Sequence, residues 1–576
     1  MKDSLHYLLS ISGNNNNLNP IMLEDCSNSM IAARRSAEEW LSYAQSRVPV
    51  ALEKAKEVNG QFPGRWKIII SKLEQIPARL SDLSSHPCFS KNTLCREQLQ
   101  AVFRSLNEAA ELAGVCMTEK YEGKLRMQSD LDALIGKLDL NLRDCGLLIK
   151  SRVLGDVSSA EPEAGNLKEL LARLQIGHLE SKHNALDSLI EILKEDAKKV
   201  LAVAGQSNVA ALVQLLTATS PQIREKTVSV VLMLVESGAF ENWLVSEGVL
   251  PPLIRLAESS NGIGKENAMI ALQRLSMSFD TARIIVGHGG VPPMIEICRI
   301  GDSTLQSAAA CVLRNLSIIP EARQTLADEG VVRVMIDLLN WDTSPESREY
   351  ATECLQNLTS GDESVKRLFV SEDGVTSLLA YLDGPSPHES SVVALKNLIG
   401  SISGEVLVSV GVLPRLARVL KSGSPGAKHA AAAAICDICS STSIETKRLV
   451  GEAGCIPLLV AMLEAKANTT REVAARATVS LMACRRNRKE VKKDSKSVPN
   501  LVALLDVSPH NTAKKYAVPC LVLLLSSKRC KRLMVSYGAI GYLKKLVEMD
   551  VAGAKKLLEH LEIGKLRRLF SKKYNT

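Results

Sequence analysis

The sequence predicts an all-α protein in which a helical bundle precedes a long stack of short helical repeats. Two observations lead there. A small residue, usually Gly, then an apolar residue and Leu or Ile at helical spacing recur at intervals of about forty residues through most of the chain. Only 20 of the 576 residues are aromatic, too few for a sheet protein of this size, so the core must be Leu, Val, Ala and Ile. With 46% hydrophobic and 23% charged side chains, the chain buries a large core and is not a disordered polymer.

Taken in order, residues 1–27 read as a flexible leader. The apolar run Leu5 to Ile11 meets the polar tract Asn14 to Asn17 instead of a small-residue cleavage site, so no secretory signal is expected. Amphipathic patterns follow at Ser29–Val58, Pro63–Ser84, Thr93–Cys116 and Lys124–Ile149, with breaks near Asn59, His86 and Gly123. Four helices with short links predict an up-and-down four-helix bundle over residues 28–150. Residues 151–165, with Gly, Ser and Pro, read as a linker.

The repeats occupy residues 166–576. The phrase reads GVLPPLIRL at Gly248, then begins again at Gly290, Gly330, Gly374, Gly411, Gly454, Ser497 and Gly538, at intervals of 42, 40, 44, 37, 43, 43 and 41 residues. Weaker copies with Asn208 and Asn166 in the glycine place bring the total to about ten units. In the unit from Gly290, Val291–Ile300 is a short opening helix, Gly301–Ser303 a turn, Thr304–Ile318 a long helix and Pro320–Glu329 a short closing helix. The glycine suits a helix end needing positive φ, and the proline after it suits the first turn of the next helix. One such unit cannot bury its apolar faces alone, but a stack of them shares one continuous core.

Chemistry-bearing patterns are missing. No phosphate-binding loop, dinucleotide-binding glycine motif, nucleophile elbow or His-Glu-x-x-His zinc signature occurs, so no enzyme, cofactor or metal is expected. The fourteen cysteines are scattered, as in a reducing compartment. Cys436 and Cys439 form the one C-x-x-C and fall on an Ala-rich long helix, where packing explains them better than metal or redox chemistry. The uncharged stretch Leu201–Ile223 is interrupted by Gln206, Asn208, Gln214 and Pro221, which disfavours a transmembrane helix.

The G-V-L-P-x-L phrase, the period, and the ends of the long helices (LRNLS at 313–317, LQNLT at 355–359, LKNLI at 395–399) resemble armadillo repeats. That resemblance implies a right-handed armadillo-repeat α-solenoid whose long helices line a concave groove. The run from Trp40 through Leu99 resembles the N-terminal helical domain of plant armadillo proteins related to U-box ubiquitin ligases. Between bundle and repeats the ligases carry a U-box, whose C-P-I and D-P-V patterns are absent here, so ligase activity does not carry over. The resemblance further implies a plant protein, and without an expected secretory signal or membrane helix the expected location is the cytoplasm, with the nucleus or peripheral membrane association as alternatives.

In armadillo proteins an Asn near the end of the long helix bonds the backbone of an extended bound peptide. Asn315, Asn357 and Asn397 match that position in three consecutive units, and an amide that donates and accepts can pair with any peptide unit. The bland alternative is that each caps its helix or bonds the neighbouring repeat. Around them Arg274, Arg314, Glu353, Gln356 and Lys396 are expected to tune selectivity. Cys311, Glu353 and Val393 stand where importin-α relatives place Trp, so an import receptor is a poor fit.

Charge is the second feature. The net +8 hides an asymmetry: residues 465–576 hold 25 Lys and Arg against 8 Asp and Glu, leaving a net −9 on the rest. The cations cluster at Arg485, Arg486, Arg488, Lys489, Lys492 and Lys493; at Lys514 and Lys515; at Lys528, Arg529, Lys531 and Arg532; and at Lys565, Arg567, Arg568, Lys572 and Lys573. They form an expected patch for an anionic partner or, alternatively, a solvated end cap. Few aromatics interleave them, which disfavours nucleic acid. The sequence thus predicts a non-enzymatic protein-binding scaffold, with peripheral docking on anionic lipid or substrate adaptation in the ubiquitin pathway as alternatives.

Overall fold

The computed structural model describes residues 35–58, 60–86, 89–118, 123–150, 162–259, 262–341, 343–384 and 389–562. The expected leader, most of the linker and the cations from Lys565 onward lie outside these residues. Helices account for most of the described chain, and no β-strand occurs among the described residues. By packing, the chain divides into two compact units, one ending at Pro252 and the other beginning at Leu253.

The first unit opens with α1 (Ala37–Glu57), α2 (Pro63–Leu73), α3 (Ile76–Ser84), α4 (Thr93–Met117) and α5 (Lys124–Lys150). Ser36 starts α1 with a reciprocal capping box: its hydroxyl accepts the Glu39 N–H, and Glu39 accepts the Ser36 N–H. Helix α1 packs along α4, and α5 packs on α2, α3 and α4, closing a core around Trp40, Trp66, Leu106, Leu134 and Leu138. Where one helix is expected over Pro63–Ser84, the chain makes two. Pro77 has no N–H to give the Leu73 carbonyl and its ring crowds that oxygen, so α2 stops at Leu73 and α3 starts at Ile76.

A sixth helix, α6 (Pro162–Gln175), starts inside the stretch expected to be linker; proline is pre-shaped for a first helical position. It joins the same core through Ala172 and Ile176, and its Arg173 pairs with Glu97 of α4 at 2.9 Å and donates to the Thr93 hydroxyl.

The repeat grammar governs the second unit. Opening helix Val291–Ile300, long helix Ser303–Ser317 and a closing 3-10 turn plus helix, Pro320–Ala322 and Arg323–Asp328, follow the expected division to within two residues. Gly330, Gly411, Gly454 and Gly538 take φ of 94°, 83°, 79° and 82° ahead of their opening helices. Ser497, Asn208 and Asn166, in the glycine place of three other units, lie inside their opening helices. Of the seven units with glycine in that place, two differ from expectation. Gly290 has φ of −73° and Gly289 takes the left-handed position, while Asp373 takes it in place of Gly374. Gly374 instead lies where a Cβ would stand 2.4 Å from the buried Phe369 ring, so close packing fixes the glycine.

Candidate binding faces of the repeats

Three long helices, Ser303–Ser317, Pro345–Thr359 and Glu389–Leu398, pack against one another in sequence order. Their asparagines reach back to the preceding unit. Asn315 is buried, 4% exposed; its Nδ2 donates to Ser276 Oγ at 2.8 Å and its Oδ1 accepts from Arg314 Nη1 at 2.8 Å. Asn357 donates to Ser317 Oγ at 3.0 Å, and Asn397 to the Gln356 carbonyl at 3.2 Å and Thr359 Oγ1 at 3.4 Å. Asn357 and Asn397 are half-buried, and their Oδ1 atoms accept no bond among the described residues.

A pocket of about 360 Å³ opens beside Asn357, lined by Arg314, Ile318, Glu349, Glu353, Gln356, Asn357, Glu389 and Ser390. It gathers four of the eight expected groove residues. Asn315, Asn397, Arg274 and Lys396 are not part of its lining. Across it, Arg314 Nε lies 2.9 Å from Glu353 Oε2 in an ion pair that is not an aligned hydrogen bond. The guanidinium also sits 5.3 Å from the centre of the Tyr350 ring. Glu349 and Glu389 escaped the sequence reading. Glu349 precedes Glu353 by one helical turn and Asn357 by two, a spacing that places all three on one face. Glu389 comes from the following unit and rests where a Cβ on Gly426 would collide with its carboxylate.

The basic residues divide by use. Arg486 pairs with Glu452 at 2.7 Å, Arg488 donates to the carbonyls of Met482 and Ala483, and Lys492 donates to Ser526 Oγ at 2.5 Å. Lys514 donates to the Val507 and Ser508 carbonyls, and Lys515 pairs with Glu472. Arg485, Lys489, Lys493, Lys528, Arg529, Lys531 and Arg532 have no ion-pair partner among the described residues. Cys436 and Cys439 are buried, and burial pushes the Cys439 thiol up to about 12. No group of metal-ligating residues and no helix long and apolar enough to cross a membrane occurs among the described residues.

The fold is that of an armadillo-repeat α-solenoid. Residues 279–318 and 320–360 match the armadillo/beta-catenin-like repeat, and residues 42–153 match a domain of unknown function, DUF7032. An engineered protein solved by the Northeast Structural Genomics Consortium is similar in fold, with a TM-score of 0.60 and 24% identity over 69% of this chain and 99% of that one. A designed armadillo repeat protein aligns with a TM-score of 0.38 and 20% identity over 40% of this chain and 99% of its own. A second designed armadillo repeat protein, solved in complex with the peptide (KR)4, aligns with a TM-score of 0.37 and 21% identity over the same shares. No curated protein matches the chain.

Proposed function

We propose that the chain is a non-enzymatic scaffold that binds a segment of another protein against its long-helix face. The observation that supports this reading is the pocket in which Arg314, Glu353, Gln356 and Asn357 converge from two successive long helices. The Asn357 and Asn397 carbonyl oxygens, each with its amide nitrogen held by the preceding unit, are positioned acceptors for backbone N–H groups of an extended segment. Affinity on such a surface comes from many small contacts that need little reorganisation on binding. The same proposal takes residues 28–150 as a helical module and 166–576 as the repeats, with the helix Pro162–Gln175 sharing the module's core.

The test is affinity purification with proximity labelling of the full chain against the variant Glu353→Ala/Gln356→Ala/Asn357→Ala. Selective loss of a few proteins, with thermal unfolding of the variant close to that of the parent, is the expected result. An unchanged set of captured proteins would remove the long-helix face from the binding function.

A further inference from the structure

We infer that the closing helices of two late repeats form a docking ridge for an anionic lipid bilayer, separate from the long-helix face. Six earlier closing segments carry an acid in the first turn, Glu241, Asp280, Glu321, Glu363, Glu405 and Glu445, and a seventh, Ala197–Val203, has Lys198 and Lys199 in that turn but Asp196 as its N-cap. A carboxylate there meets the partial positive charge of the helix N-terminus and stabilises it. The closing helices Arg485–Lys493 and Lys528–Ser536 carry no acid in that turn. They begin instead with Arg485 and Arg486, and with Lys528 and Arg529, so cations sit where the backbone is already positive.

The substitution is made twice in one register. Arg485, Arg486, Arg488 and Lys489 are matched 43 residues later by Lys528, Arg529, Lys531 and Arg532. The inward positions stay buried in both helices, Asn487 and Val491 in one, Cys530 and Met534 in the other. Local stability accounts for one of the four first-turn cations, since Arg486 pairs with Glu452, but Arg485, Lys528 and Arg529 gain no such partner and work against the helix dipole. An external anionic partner accounts for them, since it meets the side-chain charge and the helix dipole together.

The partner is read from how the cations are held. Arg485, Lys489, Lys528, Arg529 and Arg532 are exposed and make no hydrogen bond or ion pair among the described residues. A site that reads one ligand shape needs its side chains locked by supporting bonds. An acidic bilayer needs only charge density, and each cation near it contributes separately. The Lys492 bond to Ser526 ties the end of one closing helix to the residue before the N-cap of the next, so both sets of charges are presented together. Tyr537, 53% exposed, directly follows the second helix, and an amphipathic ring of this kind suits headgroup depth.

The experiment is vesicle sedimentation of the full chain with phosphatidylcholine alone and with phosphatidylcholine containing phosphatidylserine. Binding is expected only to the anionic vesicles and is expected to fade at high salt. The variant Arg485→Glu/Lys528→Glu/Arg529→Glu should lose at least on the order of 100-fold in partitioning, the value for removing three cations at the bilayer surface, and repulsion of the three new carboxylates deepens the loss. Its thermal unfolding should stay level or rise, because the new carboxylates suit helix N-termini. Equal binding to both vesicle types, binding to neither, or undiminished binding by the variant would overturn the proposal. Retention on polyglutamate without vesicle binding would assign the ridge to an acidic polypeptide and overturn it too.

Discussion

Asn315, Asn357 and Asn397 share one sequence position and have different surroundings. All three amide nitrogens bond the preceding unit, but only Asn315 is buried and spends its carbonyl oxygen too, on Arg314. Asn315→Ala therefore leaves the Ser276 hydroxyl and the Arg314 guanidinium each short of a partner. A loss of about 1–3 kcal/mol in a denaturant melt is expected. Asn397→Ala, at a half-buried site, should lose less, and equal losses at the two positions would show that burial does not separate them. The residue type at these positions was legible in the sequence. Which of them faces solvent was not, because that depends on how far Arg314 folds back over its own helix.

At the scale of the element, the repeat grammar was legible because glycine, proline and apolar spacing act locally. The long helix Ser303–Ser317 lies within a residue of its expected bounds. The misses have tertiary causes. The shift from Gly290 to Gly289 as the left-handed residue cannot be read from a doublet of glycines, and the role of Gly374 depends on the Phe369 ring five residues earlier. The pocket was half legible for the same reason: Glu389 arrives from the next unit, across a distance set by packing and not by spacing. Two glycine substitutions separate these effects. Gly374→Ala should destabilise by about 1–3 kcal/mol, since its methyl would press on a ring with no room to move. Gly541→Ala, in the helix Ala539–Glu548 with nothing within 4 Å of the added methyl and no positive φ, should stabilise by about 0.4–1 kcal/mol through the unfolded chain. A melt in which both substitutions shift stability the same way would refute this division.

Across the whole molecule, the buried thiols give a stability prediction that no single repeat could. Twelve cysteines of the described chain are free and buried, three in the first compact unit and nine in the second. Burial pushes Cys95, Cys145, Cys354, Cys439 and Cys455 from their ordinary value of 9.0 up to about 12, and Cys298 and Cys520 higher still. The folded chain thus keeps its thiol protons at a pH where the unfolded chain releases them. The sign follows by linkage: a pKa raised on folding gives stability that is complete below the unfolded value and is lost as pH rises toward the folded one. Stability should therefore be flat in this respect through neutral pH and fall steadily between about pH 9 and pH 12. Urea midpoints across that window measure it. The same thiols should resist an aromatic disulfide reagent at neutral pH until the chain opens, because attack needs both exposure and the thiolate. Cys484 and Cys311, the least covered at 5% and 6% exposure, should be modified first as denaturant is added, with peptide mapping to identify them. Immediate reaction of Cys298 or Cys520 in native buffer would mean that the repeats open far more readily than their packing implies.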